Sequence, residues 1–280
     1  MKYYPVQMLV IFQLWLLPIV SHAWNALGHM VVANIAYQNL EPNVQKKIDN
    51  IVSYFSLEYP GMASFLQMAY WPDTLHAQKI ETFTHWHYID IPFSQDGSPL
   101  KNIMDTDNIV WAIINIEPII KYNHTNPYEL ARFLAFLIHI VGDIHQPLHT
   151  VSYISVAYPN GDQGGNLYFI RYNNERIKLH RLWDSGLGMF DQSATQENAE
   201  ILTAIILKHY PKTYFGRQAS DLDLNHWLQE GMTNAKTYVY VTPADQTPSA
   251  DYLETGRKIS EREIALAGYR LGAFLNKILS

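Results

Sequence analysis

No cysteine occurs among the 280 residues. That excludes disulfides as a brace and thiolates as metal ligands. Charge is scarce too: Asp, Glu, Lys and Arg make up 16 % of the chain against 48 % hydrophobic residues. Such a balance excludes intrinsic disorder and allows a substantial core. Internal repeats, low-complexity tracts and linkers are absent, which predicts one domain. Beyond residue 23 no stretch is apolar and long enough to cross a bilayer, which needs about 20 residues. Nor is there the basic surplus usual in a nucleic-acid binder, since the net charge is −6.

The first 23 residues differ from the rest. Lys2 is the single charge before an apolar run at 8–20, and Ser21-His22-Ala23 supplies small residues at the positions a signal peptidase reads. This pattern predicts a secretory signal over 1–23, cleaved after Ala23, and a secreted or periplasmic mature chain over 24–280 with no membrane span. The run is too short for a membrane anchor, the alternative reading. An exported chain without disulfides needs another brace, and bound metal is one option.

Helical spacing dominates. Helices are expected at 28–40 and 43–55, separated by Glu41-Pro42. Others follow at 105–122 with a kink at Pro118, 126–143 with Pro127 in its first turn, 195–209, 224–238 and 260–279. One β signal stands out, alternation over 167–172 and 176–179 around Asn173-Asn174, which predicts a hairpin. The fold class is mainly α, with a small hairpin. Aromatics are plentiful (19 Tyr, 11 Phe and 7 Trp), most of them core and a few available for stacking.

Histidine carries the chemistry. His139 and Asp143 lie four apart on a predicted helix, so both project from one face. Phe136 and Ile140 mark that face as core, where an unpartnered His and Asp are costly. The run continues Asp143-Ile144-His145-Gln146-Pro147-Leu148-His149, and Pro147 ends the helix. His180 and Asp184 repeat the spacing directly after the hairpin. Upstream stand Trp71-Pro72-Asp73 and His85-Trp86-His87-Tyr88-Ile89-Asp90. A single His-x-x-x-Asp is ordinarily a hydrogen bond or salt bridge; two such pairs, a further His after a Pro turn and an upstream Asp and His point instead to metal. Nitrogen and carboxylate donors suit Zn²⁺, and several ions in mixed His/Asp sites suit hydrolysis of phosphate esters.

These motifs, with Trp24-Asn25-Ala26-Leu27-Gly28-His29 at the predicted new terminus, Gly164-Gly165-Asn166, and the Ala-Gly-Tyr-Arg-Leu run at 267–271, resemble the S1/P1 nucleases along the whole mature chain. The resemblance implies the multi-helix fold shared by phospholipase C and P1 nuclease. It implies three zinc ions: one held by Asp73, His87, His139 and Asp143, one by His149, His180 and Asp184, and one by His29, Asp143 and Trp24 through its α-amine and carbonyl. Asp143 would bridge two of them. It further implies in-line attack of an activated water on phosphorus, with the ion at the His149 site steadying the leaving 3′ oxygen. Asp90 is carried over as a group orienting that water, Tyr88 as a base-stacking ring and Asn166 as a base-edge contact. The implied substrate is single-stranded nucleic acid, cut by a monomer that needs no stable protein partner. Removing Lys2 with the leader takes the net charge to −7, and three Zn²⁺ would bring it to −1, with the positive charge in one cleft. Two features depart from the family. His76 stands where a basic residue usually follows the first Asp ligand, and the disulfides of fungal and plant members are absent. A zinc-dependent phospholipase C is the alternative enzyme, and a zinc-storage protein the non-enzymatic one. Asp184, where a phospholipase C has Glu in the last pair, and the five-residue step from Trp24 to His29 favour the nuclease.

Overall fold

The computed structural model describes residues 24–122 and 126–280; the expected signal over 1–23 lies outside the described residues. The described residues form eleven α-helices and two two-stranded sheets. They confirm a mainly α fold.

The centre is α1 (Ala26–Gln38), buried continuously from Leu27 to Ala36 and so apolar on nearly all sides. The Asn25 side chain caps it by accepting from Gly28 N. α2 (Pro42–Glu58) follows with Pro42 in its first turn, where no amide hydrogen is needed. The short α3 (Phe65–Met68) and α4 (Trp71–Ala77) lead to a 3₁₀ turn, Thr84–His87.

α5 (Ile109–Tyr122) begins four residues later than the spacing suggests. Asn108 caps it, its side-chain oxygen accepting from Val110 and Trp111 N. The preceding Asp105 and Asp107 instead face His85, at 3.6 and 3.0 Å. α6 (Pro127–Asp143) matches expectation, with the Asn126 cap accepting from Tyr128 and Glu129 N. Its second half, from Leu134 to Asp143, is wholly buried.

The expected hairpin is present as β3 (Phe169–Tyr172) and β4 (Glu175–Lys178). Asn173 and Asn174 both take positive φ, 50° and 66°, the tight turn that matches strand twist. A second sheet had no sequence signal. β1 (Ile91–Phe93) pairs in parallel with β2 (Val151–Tyr153), each strand only three residues long. Such strands are too short for a period to show. The pairing holds the chain just after His87 against the chain just after His149.

α7 (Leu179–Asp184), α8 (Gln196–His209), α9 (Lys212–Phe215) and α10 (Leu224–Thr237) follow. The last helix, α11 (Ala250–Leu279), has 30 residues and starts ten earlier than expected. Gly256 lies inside this added stretch. In the fold it is a contact point, since a Cβ there would lie 2.3 Å from Leu187 Cδ2.

Buried apolar residues gather into two clusters. One joins α1, α2, α5, α6, α8 and α11. The other lies under the hairpin, around Trp183, Tyr240 and Tyr252.

Candidate metal centre

Six elements deliver His and Asp side chains to one interior region. α1 brings His29, α4 Asp73, the 3₁₀ turn before β1 His87, α6 His139 and Asp143, the 3₁₀ turn Pro147–His149 its His149, and α7 His180 and Asp184. All except His87 are buried. Three groups have donor atoms close enough for one ion each: His29 with Asp73 and His139; His87 with His139 and Asp143; and His149 with His180 and Asp184.

In the first region His87 Nδ1 lies 3.0 Å from Asp143 Oδ2 and 3.0 Å from His139 Nε2. His139 Nε2 is 3.3 Å from Asp143 Oδ2 and 3.4 Å from Asp73 Oδ1. His139 Nδ1–H donates to Ala69 O at 2.8 Å, leaving Nε2 with a lone pair. One proton on His87 cannot serve all these acceptors. His29 stacks on His139, ring centroids 3.9 Å apart, and its Nε2 lies 3.2 Å from Asp143 Oδ1. Yet neither nitrogen of His29, nor Asp143 Oδ1, has a hydrogen-bond partner. Three unpaired buried polar atoms at one spot would each cost about 1–3 kcal/mol. A cation between them removes that cost.

Electrostatics agree. Burial, helped by His139, pushes His29 down to about 3, so it is neutral and offers a lone pair. Burial opposes a charge on His139 as well, but Asp143 and Asp73 outweigh it and hold His139 well above its usual value. Asp143 is held below the usual carboxylate range: burial resists this, and His139 and His87 overcome it. In this region a proton occupies a place suited to a cation.

The second region is more decisive. His149 Nδ1–H donates to His87 O at 2.6 Å, and His180 Nδ1–H donates to Gly164 O. Both rings therefore carry their free lone pair on Nε2. These two nitrogens face each other at 2.9 Å, with Asp184 Oδ1 3.4 and 4.0 Å away. Burial lowers the pKa of both. Two lone pairs in contact repel unless something positive lies between them, and a proton there is disfavoured. The donor set fits a divalent, nitrogen-loving cation.

Several supporting groups escaped the sequence reading. Gln146 Nε2 donates to Asp184 Oδ1 at 2.6 Å, fixing that carboxylate. Gly164, at φ 58°, has no room for a Cβ, which would meet Leu148 O at 2.3 Å. Gly142 admits His29, whose Nδ1 would lie 3.0 Å from a Cβ there. Arg270, fully buried on α11, pairs with both Glu230 oxygens and donates to His145 Nε2 at 3.0 Å. All four residues lie in or beside the motifs quoted above, and that was the only sign of them. Trp24 is buried beside the first region, its Nε1–H donating to Gly142 O at 3.1 Å. His76 stands apart on α4, 3.0 Å from Glu81 Oε2 but without hydrogen-bond alignment.

A cavity of about 350 Å³ opens beside the second region. His180 lines it, and so do Tyr88, Asp90, Asn166 and Asp105. Asn166 Nδ2 lies 3.3 Å from His180 Nδ1. Asp90 takes φ 55°, an unusual conformation for a non-glycine residue. Burial, and then Asp162 and Asp105, push its carboxyl up to about 7. The structure thus brings Tyr88, Asp90 and Asn166 together next to a metal-competent group.

The family model for S1/P1 nuclease matches residues 24–280. Among curated proteins the chain is 29 % identical to Nuclease S1 of Aspergillus oryzae (strain ATCC 42149 / RIB 40), over 93 % of both chains. It is 26 % identical to Endonuclease 1 of Arabidopsis thaliana, over 92 % of this chain and 88 % of that one. With Nuclease P1 of Penicillium citrinum it shares 24 % identity over 91 % of this chain and 97 % of the other.

Proposed function

The chain belongs to the S1/P1 nuclease family, a family of hydrolytic nucleases, and from that membership we propose that it is a secreted, zinc-dependent enzyme cutting single-stranded DNA or RNA to 5′-phosphorylated products, with 3′-nucleotidase activity. One observation supports this above the others. Two neutral, buried imidazole nitrogens face each other at 2.9 Å beside a carboxylate and at the wall of a base-sized cavity.

The proposed ligands are Asp73, His87, His139 and Asp143 for one ion; His149, His180 and Asp184 for a second; and His29, Asp143 and Trp24 for a third. Asp143 Oδ2 faces His87 and His139, and its Oδ1 faces His29, which suits a bridge. His29 also lies in one group with Asp73 and His139, so the third ion would sit close to the first. Trp24 contributes its α-amine, which is free only once the chain is cut after Ala23. When bound, the ions supply the positive charge that acidifies water and offsets charge building on phosphate oxygens.

The remaining work falls to the chain itself. Tyr88 stacks under a base and Asn166 bonds its edge. Asp90, titrating near neutral pH, accepts a proton or a hydrogen bond at the cavity wall and orients the attacking water or the nucleotide against it. The carbonyls of Ala69, His87 and Gly164 hold His139, His149 and His180 in the tautomers that present Nε2.

The test is zinc content by native mass spectrometry, together with turnover on single-stranded DNA, on duplex DNA and on phosphatidylcholine, each with a chelator control. Three zincs and chelator-sensitive cleavage of single strands are expected. Turnover of the lipid alone would replace this reading with a phospholipase; zinc binding without turnover would leave a storage protein.

A further inference from the structure

Four of the chain's 20 Lys and Arg residues fall within residues 171–181, in a protein of net negative charge. The hairpin register shows why they act together. Arg171 pairs directly with Arg176, and Phe169 with Lys178, and residues directly opposite share a face of the sheet. Ile170 and Ile177 point to the other side, where Ile170 is fully buried. The outward face thus carries Arg171, Arg176 and Lys178. Arg181, exposed on α7, lies one residue beyond His180.

Like charges placed directly opposite destabilise a sheet. Among the described residues one carboxylate relieves these two: Asp245 Oδ1 accepts from Arg176 Nε at 2.6 Å, and Arg171 Nε donates to the Asp245 backbone oxygen at 3.2 Å. The Arg176 guanidinium carbon also lies over the Phe169 ring, 3.8 Å from its centroid, a cation–π contact that helps fix its position. One carboxylate against these two arginines leaves a surplus. The hairpin keeps that surplus at a cost to its own stability.

Its location gives the surplus a purpose. Lys178 Nζ donates to Asn166 Oδ1 at 3.3 Å, and Asn166 lines the cavity beside His180. The cationic face therefore begins at the cavity rim. Elsewhere that rim is acidic: Asp90 and Asp105 line the cavity, and Asp107, like Asp105, faces His85. A polyanion whose base fills the cavity is repelled on the acidic side and attracted along the hairpin.

We propose that the outer face of the β3–β4 hairpin, continued by Arg181, is an extended binding track for the phosphodiester backbone of a single-stranded nucleic acid. It serves nucleotides beyond the one held in the cavity. The inference rests on the nuclease reading and adds to it where the rest of the strand runs.

The test uses the mature chain from Trp24, loaded with zinc, and the double variant Arg171→Gln/Arg181→Gln. Neither residue is a member of the His/Asp groups. Binding of a phosphorothioate single strand of about 20 nucleotides is followed from low to high salt by fluorescence anisotropy. Each cation lost should flatten the log–log salt slope by about 0.7. The double variant should therefore lose about 1.4 of slope, equivalent to about sevenfold in affinity over a fourfold salt range. Turnover of a 3′-mononucleotide, which is too short to reach the hairpin, should change less than about twofold. Arg171→Lys/Arg181→Lys should restore the slope.

An unchanged slope, or an equal loss on the mononucleotide, overturns the track. Equal slope loss on duplex DNA would overturn its single-strand character and leave a general polyanion surface. Wild-type protein that turns over no nucleic acid would sink the proposed activity. The slope comparison would still decide the track, because it reads binding without cleavage.

Discussion

At the scale of single residues, the centre depends on which atoms lack a proton. Asp143 turns one oxygen toward His87 and His139 and the other toward His29. An amide nitrogen in place of either oxygen would turn a donor hydrogen toward a cation. Asp143→Asn should therefore lose more than one zinc and nearly all activity. A variant that keeps three zincs and substantial turnover would remove Asp143 as the bridge. Asp90 makes a separate prediction through its raised pKa. Its folded value, about 7, lies above the unfolded value of about 3.9, so the fold favours the protonated acid. The associated stability is present at low pH and is lost as pH rises from about 4 to about 7. Asp90→Asn imitates the protonated acid and escapes that loss. Its melting temperature relative to wild type should rise between pH 5 and pH 8, and a difference constant across that window would show that Asp90 is not perturbed. The sequence named Asp90 but could not supply its environment, because Asp162 and Asp105 approach it only in the fold.

At the scale of elements, α1 and α11 cross at close range. Gly268 allows this: a Cβ there would lie 2.5 Å from Ile35 Cβ and 3.0 Å from Val32 O. Helix propensity alone says that Gly268→Ala stabilises, by about 1 kcal/mol. Packing reverses the sign, since Val32 O is backbone and cannot swing aside. We expect destabilisation of about 1–3 kcal/mol, as for other overpacked cores, measured by urea unfolding; stabilisation would show that the crossing is loose. The consequence reaches the site, because α1 carries His29 and α11 carries Arg270, which holds His145 in the turn between Asp143 and His149. The long helices and the hairpin were legible because periodicity and caps are local signals. The early start of α11 and the β1–β2 pair were not. Gly256 is explained by Leu187, and three-residue strands by a partner some sixty positions away.

At the scale of the whole molecule, six elements meet at a polar interior that no disulfide fastens. Without cations, buried His29 and Asp143 keep unpaired atoms, and His149 and His180 oppose lone pairs. Metal binding should then be folding energy as well as chemistry. EDTA is expected to lower the melting temperature and to abolish activity together; loss of activity at unchanged melting temperature would confine the metal to catalysis. In the proposed mature chain the amino terminus would belong to the same assembly. Trp24 is locked beside Gly142, and a free α-amine, with pKa about 7.7–8.0, yields its proton readily to Zn²⁺. A mature chain carrying one extra Met before Trp24 should keep its fold but lose the third zinc and much of its turnover. Three zincs and full activity in that protein would discard the terminal amine as a ligand.

The sequence by itself determined the helical class, the hairpin with its Asn-Asn turn, and the two His-x-x-x-Asp pairs at His139/Asp143 and His180/Asp184. Those are properties of spacing: period, cap and the i, i+4 step act within one turn or one strand. It also carried the family resemblance, through motifs read at single positions. Tertiary structure alone decided which donors face one another, which carbonyl fixes each imidazole, that Tyr88, Asp90 and Asn166 share one cavity, and that three cations of a net-negative chain line up beside it. Each of these depends on atoms far apart in sequence meeting within about 4 Å, a distance at which burial and Coulomb forces set protonation.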